Sequence, residues 1–297
     1  MSHPLFLIDA SIYIFRHYFA WPEKWHSQEG FPTQAVYGYL SFLLTLIEKQ
    51  SPIYIAAAFD QSLGSCFRNR IYPDYKANRC LPDDALSFQL NACLEATRLM
   101  GIAGLASQTH EADDIIGTLA KQGREIGHRI IVLSGDKDLT QLIGPDDLIW
   151  DFGKSKPLGQ KEVVDRVGVW PEQMADYLAL VGDSSDNIPG VPGIGPKTAC
   201  ALLKHFGSLN VLLQAGDQIN EVPVRGAKKL AEKIDSYREQ IVLAKRLTEI
   251  ADDAVLGKPA LQRRPIALDA LDDFCQRMGL GDSPVGRAEK LTAIGID

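Results

Sequence analysis

Three apolar runs of strand length end in aspartate: LFLID at Asp9, IYIAAAFD at Asp60, and RIIVLSGDKD at Asp136 and Asp138. Helical patterns lie between them, over Gln34 to Lys49, Pro82 to Met100 and Ala112 to Gly127. Strands that alternate with helices build an α/β fold, a mainly parallel central sheet with helices on both faces. The functional crevice of such a sheet lies beyond the carboxyl ends of its strands, where these aspartates gather. One aspartate after a strand is an ordinary turn or cap residue. Their recurrence points to a site.

The stretch THEADDIIG crowds Glu111, Asp113 and Asp114 ahead of an apolar helix. Acidic residues favour the first turn of a helix, and Thr109 or Ser107 could cap it. A further strand pattern, Ile102 to Ala106, precedes it, so these acids open a helix at the same sheet edge as the others. Bound cations make such crowding tolerable. Oxygen donors without His or Cys suit Mg²⁺ or Mn²⁺, and two ions roughly 3.5–4 Å apart support in-line hydrolysis of a phosphodiester.

After Trp170 the pattern changes to helices and glycine-rich turns, including LVGDSSDNIPGVPGIGPKTACALLKHFG. Asp183 and Asp186 add two acids at spacing three. Gly190 to Thr198 forms a turn leading into a helix, with Pro196 in its first position and Gly207 ending it. Backbone N–H groups at Gly193 and Gly195, with Lys197 beside them, can approach a phosphate without reading a base. Gly190 to Arg246 holds nine basic residues, Arg225 among them, against five acidic, although a solvated helix face gives the same count. The segment CFRNRIYPDYKANR interleaves Arg68, Arg70, Lys76 and Arg79 with Phe67, Tyr72 and Tyr75, which suits backbone binding and stacking on unpaired bases.

The net charge of −7 at first disfavours a nucleic-acid partner, but without the nine candidate acids the chain carries +2. The five cysteines (Cys66, Cys80, Cys93, Cys200, Cys275) form no CxxC pair, which argues for reduced thiols in a cytoplasmic protein and against a zinc site. There is no basic leader, and LSFLLTLI is too short to span a bilayer.

FLID, AFD, EADD, GDKDL and above all GDSSDNIPGVPGIGPKTA, in this order, resemble the flap endonuclease superfamily of 5′ nucleases, similar to the 5′→3′ exonuclease domain of DNA polymerase I, from Leu5 to about Arg246. The resemblance implies a nuclease core over 1–170 with an arch region at about 64–100, a helix-hairpin-helix subdomain over 171–255 and a C-terminal segment over 256–297, read as a helix and a tail. It implies that Asp9, Asp60, Glu111, Asp113, Asp114, Asp136, Asp138, Asp183 and Asp186 are metal-site acids, and that Lys76 lies near the scissile phosphate. Arg68, Lys76 and Arg79 match phosphate-contacting positions of the arch, with Arg70 and Tyr75 as neighbouring DNA contacts. Gly190, Gly193, Gly195, Lys197 and Thr198 resemble the hairpin that grips duplex DNA, often with a K⁺ held by carbonyls. The expected protein is a free-standing, monomeric, Mg²⁺-dependent 5′ nuclease acting on 5′ flaps and 5′ ends, with RNA–DNA primer junctions as further substrates. A non-cutting binder of branched DNA and a PIN-type ribonuclease are the alternatives.

Overall fold

The computed structural model describes residues 3–62, 64–79, 81–224 and 226–295, so Cys80 and Arg225 lie outside the described residues. The first half of the chain runs β1 (Leu5–Asp9), α1 (Ala10–Ala20), α2 (Gln34–Gln50), β2 (Tyr54–Asp60), α3 (Phe67–Ile71), α4 (Asp84–Leu99), β3 (Ala103–Ser107), α5 (Ala112–Glu125), β4 (Ile130–Leu133), β5 (Leu148–Ile149) and α6 (Gln160–Val167). The five strands form one parallel sheet in the order β3-β2-β1-β4-β5.

Alternate residues of each strand serve opposite faces. Phe6, Ile8, Phe59 and Leu133 join a core with α1, α2 and α4, whereas Leu5, Leu7, Ala58 and Val132 pack against Ile115, Ile116 and Leu119 of α5. Burial on both faces explains why these strands read as continuous apolar runs. The chain builds outward from β1 to β3 and then returns to the other side of β1 as β4. That reversal opens a crevice between the carboxyl ends of β1 and β4.

The second half contributes α7 (Met174–Val181), a two-stranded antiparallel pair β6 (Gly182–Asp183) and β7 (Ile188–Pro189), and helices α8 (Pro196–Phe206), α9 (Leu209–Gln214), α10 (Leu230–Ser236) and α11 (Arg238–Thr248). Its own core contains Met174, Leu178, Leu202, Leu203, Ile241 and Leu247. Pro196 opens α8 and Gly207 closes it, as the sequence requires.

Three expectations are corrected. The helix assigned to the arch, α4, is a core element: Ala92, Cys93 and Ala96 are buried against α2, leaving only the short α3 and the loop after it over the acidic edge. Strand β4 ends at Leu133, so Asp136 and Asp138 stand on the following loop and 3₁₀ turn. The C-terminal segment is not a helix and a tail. It returns to the sheet through Ile55 N–H to Leu261 O (2.8 Å), then forms α12 (Leu268–Arg277) and α13 (Ser283–Ala293), whose Leu271, Phe274, Ala288 and Leu291 complete the core around α2 and α4.

Cys66, Cys93, Cys200 and Cys275 are free thiols. Among the described residues no helix is long and apolar enough to cross a membrane.

Candidate active site

The acids fall into three groups with different partners. Asp9, at the end of β1, caps α1 by accepting Ile12 N–H (3.4 Å) and also accepts Ser134 Oγ–H (2.8 Å). Asp60, at the end of β2, accepts Ala112 N–H (2.7 Å) from the first turn of α5, where the helix dipole favours a carboxylate. Asp113 projects from that turn. Asp136 is held by its N–H to Ser134 Oγ (3.0 Å). These four press on one another electrostatically. Burial, then the Asp60 charge, pushes the Asp9 carboxyl up to about 7. Burial, then the charges of Asp9, Asp136 and Asp60, holds Asp113 well above the ordinary carboxyl range.

Asp138, Asp183 and Asp186 form the second group. Burial, then Asp136, raises Asp138 to about 7. Burial of Asp183 is outweighed by donors from Ser185 (Oγ at 2.7 Å, N at 2.8 Å) and by Lys137 at 3.2 Å, so its carboxyl falls below the usual value. Asp186 accepts Tyr75 Oη–H (3.1 Å) and Arg79 Nη2–H (2.5 Å), with Lys76 Nζ at 3.5 Å. A cavity of about 20 Å³ touches Glu111, Asp113, Asp138, Asp183 and Asp186. It has space for about one water-sized particle. Asp138 Oδ1 is buried without a hydrogen-bond partner among the described residues.

The third group overturns part of the expected site. Arg68 is 3% exposed, and its guanidinium clamps Asp114 at 2.7 and 2.8 Å and reaches Glu111 Oε2 at 3.0 Å. It is therefore closed to DNA phosphates. Asp114, fully buried, also accepts Glu111 N–H (3.0 Å) and Ala251 N–H (2.9 Å), which leaves no oxygen for a metal. It is Glu111, capped back by Asp114, that opens α5, and not Thr109 or Ser107. Ser107 Oγ instead accepts Thr109 and His110 N–H within its own turn. Glu111 has both oxygens engaged, Oε1 by Lys76 and Oε2 by Arg68 and Tyr75 Oη (2.8 Å). Cys66, Glu111 and Asp114 place three ligand atoms within 4.8 Å of one another, but Arg68 fills that place with its own charge. Tyr75 is 4% exposed and its ring packs into the helical core, so it cannot stack on a base.

We expect Asp114→Ala to behave as a stability variant. Removing one partner of a buried ion pair costs roughly 3–5 kcal/mol, to be read as a lowered midpoint in urea. A variant as stable as wild type but unable to bind divalent ions would return Asp114 to the metal site.

Residues 74–79 dock on the loop joining β6 and β7: Lys76 N–H to Asp186 O (3.0 Å), Asn78 Nδ2–H to Ser184 O (2.9 Å) and Asn187 Nδ2–H to Asp74 O (2.7 Å). Lys76 takes a left-handed backbone (φ +54°), a conformation uncommon outside glycine, which aims its ammonium at Glu111 and Asp186. Arg70 is exposed and Arg79 half-exposed. The sequence analysis missed Ser134, Lys137, Ser185 and Asn187. Each left a trace: Ser134 is a hydroxyl directly after the apolar run that forms β4, Lys137 stands within GDKDL, and Ser185 and Asn187 stand within GDSSDNIPGVPGIGPKTA.

In the hairpin, the N–H groups of Gly193 and Gly195 have no acceptor among the described residues. Gly193 needs its positive φ of +79°. Gly195 has φ −96°, and a Cβ placed there meets nothing within 4 Å, so the fold itself makes no demand for glycine. Gly190 differs: a Cβ would lie 2.0 Å from Val181 O, so its missing side chain serves packing inside the protein. Lys197 is exposed and Thr198 half-buried. Lys233 Nζ donates to Pro192 O (2.8 Å) and Gln240 Nε2 to Gly190 O (2.9 Å), so the chain's own donors occupy two loop carbonyls.

Residues 4–168 match the 5′-3′ exonuclease N-terminal resolvase-like domain, and residues 169–267 the 5′-3′ exonuclease C-terminal SAM fold. The chain is 34% identical over 273 residues to a 5′-3′ exonuclease of Aquifex aeolicus, covering 90% of this chain and 92% of that one. It is 40% identical over 255 residues to the DNA polymerase I of Pseudomonas aeruginosa, covering 85% of this chain but only 28% of that protein. The chain thus spans about a quarter of the length of the DNA polymerase I relatives it matches. The fold is shared with the bacteriophage T5 flap endonuclease in a pseudo-enzyme–product complex with DNA and metal ions (TM-score 0.64, 19% identity, 98% of this chain and 99% of that one). With matched domains over most of its length and a relative that is similar nearly from end to end, the chain belongs to the 5′-3′ exonuclease family.

Proposed function

We propose that the protein is a structure-specific 5′ nuclease that hydrolyses DNA phosphodiesters at 5′ ends and 5′ flaps with two divalent cations, Mg²⁺ or Mn²⁺. The observation that carries this reading is the crowding of Asp9, Asp60, Asp113 and Asp136 at the crevice between β1 and β4, next to Asp138, Asp183 and Asp186. The Asp9, Asp113 and Asp138 carboxyls, held above their ordinary range by burial and by neighbouring charges, would be relieved by bound cations, and the buried, unpartnered Asp138 Oδ1 is a ready oxygen donor. The donor set is all oxygen, as these hard ions prefer. When bound, such ions would supply Lewis acidity and a water of lowered pKa.

The chain's own residues do the rest. Lys76 and Arg79 offer cationic N–H groups to the scissile phosphate at the edge of the acidic crevice. A cleft of about 430 Å³ beside them, lined by Ser62, Asn69, Lys76, Arg79 and Leu81, gives an unpaired 5′ strand a path. Gly193 and Gly195 N–H groups with Lys197 hold the duplex backbone without reading sequence. At Pro192, the Lys233 ammonium supplies the positive charge that a K⁺ would bring.

Cleavage of a labelled 5′ flap, its RNA counterpart and intact duplex, with Mg²⁺ and with chelator, tests the reading. Flap cleavage lost on chelation and restored by Mg²⁺ or Mn²⁺ is expected; binding without any cutting would leave a branched-DNA-binding protein, and preference for RNA a ribonuclease. For the hairpin, Gly195→Val should weaken flap binding about tenfold, as expected for one or two lost N–H contacts to a charged oxygen. The variant should stay folded with only a small drop in thermal midpoint, because the site is open and its φ ordinary, although valine caps α8 less well than glycine. A folded variant that binds as wild type removes the hairpin from the DNA interface.

A further inference from the structure

We infer that Arg68 is a positioning residue that holds the hairpin-bearing helices in register with the acidic edge of the sheet. The inference rests on the nuclease reading above and adds to it the element that sets where the cut falls. All five guanidinium N–H groups have acceptors, and those acceptors belong to two separate pieces of the chain, so that with its own helix Arg68 joins three. Nε donates to Leu247 O (2.8 Å) and Nη2 to Glu249 O (2.7 Å), at the C-terminal end of α11. Nη1 and Nη2 take the two oxygens of Asp114, and Nη1 also takes Glu111 Oε2, all at the first turn of α5. Arg68 itself lies on α3, directly ahead of the loop that carries Tyr75 and Lys76.

Each contact leads to a working part. From α11, Gln240 donates to the Gly190 carbonyl of the hairpin, and Leu247 sits in the core shared with α7 and α8. From Glu111 the path continues to Lys76 and Tyr75, and Tyr75 bridges to Asp186. The last carbonyls of a helix lack intrahelical partners and favour a cation, so Arg68 satisfies the end of α11 while neutralising two acids that would otherwise repel. A planar five-donor fork fits this arrangement and a lysine ammonium, with three donors at one point, does not. A duplex gripped at the hairpin is thereby held at a fixed distance from Asp9, Asp60, Asp113 and Asp136.

Arg68→Lys tests this in the full chain, with three measurements on a 5′-flapped DNA: affinity, single-turnover rate at saturating protein, and a product map at single-nucleotide resolution. The positioning role predicts affinity within about threefold of wild type, a rate lowered about 100-fold, as a displacement on the order of 1 Å produces, and cuts spread over neighbouring phosphodiesters. A merely structural role would lower the folded fraction without spreading the cuts. Unchanged rate and cut position in the folded variant overturn the inference, as does a rise in the dissociation constant with the saturated rate intact, which would make Arg68 a phosphate contact. If Arg68→Lys does not fold, Asp114→Asn, which keeps the shape but weakens the clamp, should show the same spread, and a wild-type map from that folded variant overturns the inference equally. Wild type that cuts no flapped DNA overturns the nuclease reading and this inference with it. Wild type that cuts while Arg68→Lys cuts identically overturns the positioning role alone.

Discussion

Replacing Asp136 by alanine should lower cleavage of a flapped DNA about 1,000-fold, equivalent to about 4 kcal/mol of lost transition-state stabilisation, with flap affinity within a few-fold of wild type. Asp136 is the carboxylate that meets both acid groups. Its charge acts on Asp9 and Asp113 on one side and on Asp138 on the other, and its Oδ1 accepts Asp138 N–H (2.9 Å). On the two-cation reading, losing it would weaken both sites at once. It is exposed on a loop beyond β4 and outside the hydrophobic core, so the variant should fold. Removing a negative charge beside a phosphate does not weaken DNA binding, which separates affinity from turnover. Near wild-type single-turnover cleavage in saturating Mg²⁺ would refute the assignment of the crevice.

Lys76→Ala should lower the single-turnover rate about 100-fold and affinity by less than tenfold, the scale expected when one preorganised donor to a developing charge is removed. In this structure the Lys76 ammonium lies between Glu111 and Asp186 and is held there by its own backbone N–H on Asp186 O. On the proposed reading, a donor fixed among these carboxylates would act where cations and the reacting phosphate meet. A surface lysine that only adds affinity would do the reverse. A raised dissociation constant with the rate at saturation unchanged would make Lys76 a peripheral contact and move the reacting phosphate away from the docked loop.

Asp9, Asp60 and Asp136 were legible because apolar strand runs are easy to recognise and a parallel sheet brings their carboxyl ends to one edge. Asp113 could be read only together with its neighbours, since EADD offers three acids and the sequence does not say which of them face the crevice. Helix geometry separates them. Asp114, one residue further around α5, points inward to Arg68, whereas Asp113 meets Asp9, Asp60 and Asp136. Arg68 itself was misread for a related reason, because an arginine in a basic aromatic segment looks like a phosphate contact until its partners from α5 and α11 are known. Gly190 and Gly195 look alike in GVPGIG. Only the surrounding backbone shows that Val181 O crowds one while the other faces open space.

By itself, the sequence determined the alternating strands and helices, the edge at which the acids collect, the start and stop of α8, and membership of a family whose motifs stand in order. These are local or pattern properties, governed by period, by caps and by strand direction, and they survive without knowledge of distant neighbours. Tertiary structure alone decided which charges pair. It buried Arg68 with Asp114 and Glu111, set Tyr75 into the helical core, and returned α12 and α13 to the sheet domain, because each depends on contacts between residues separated by 36 to more than 170 positions. A buried charge must find its partner wherever the chain folds it, and sequence spacing carries no record of that choice.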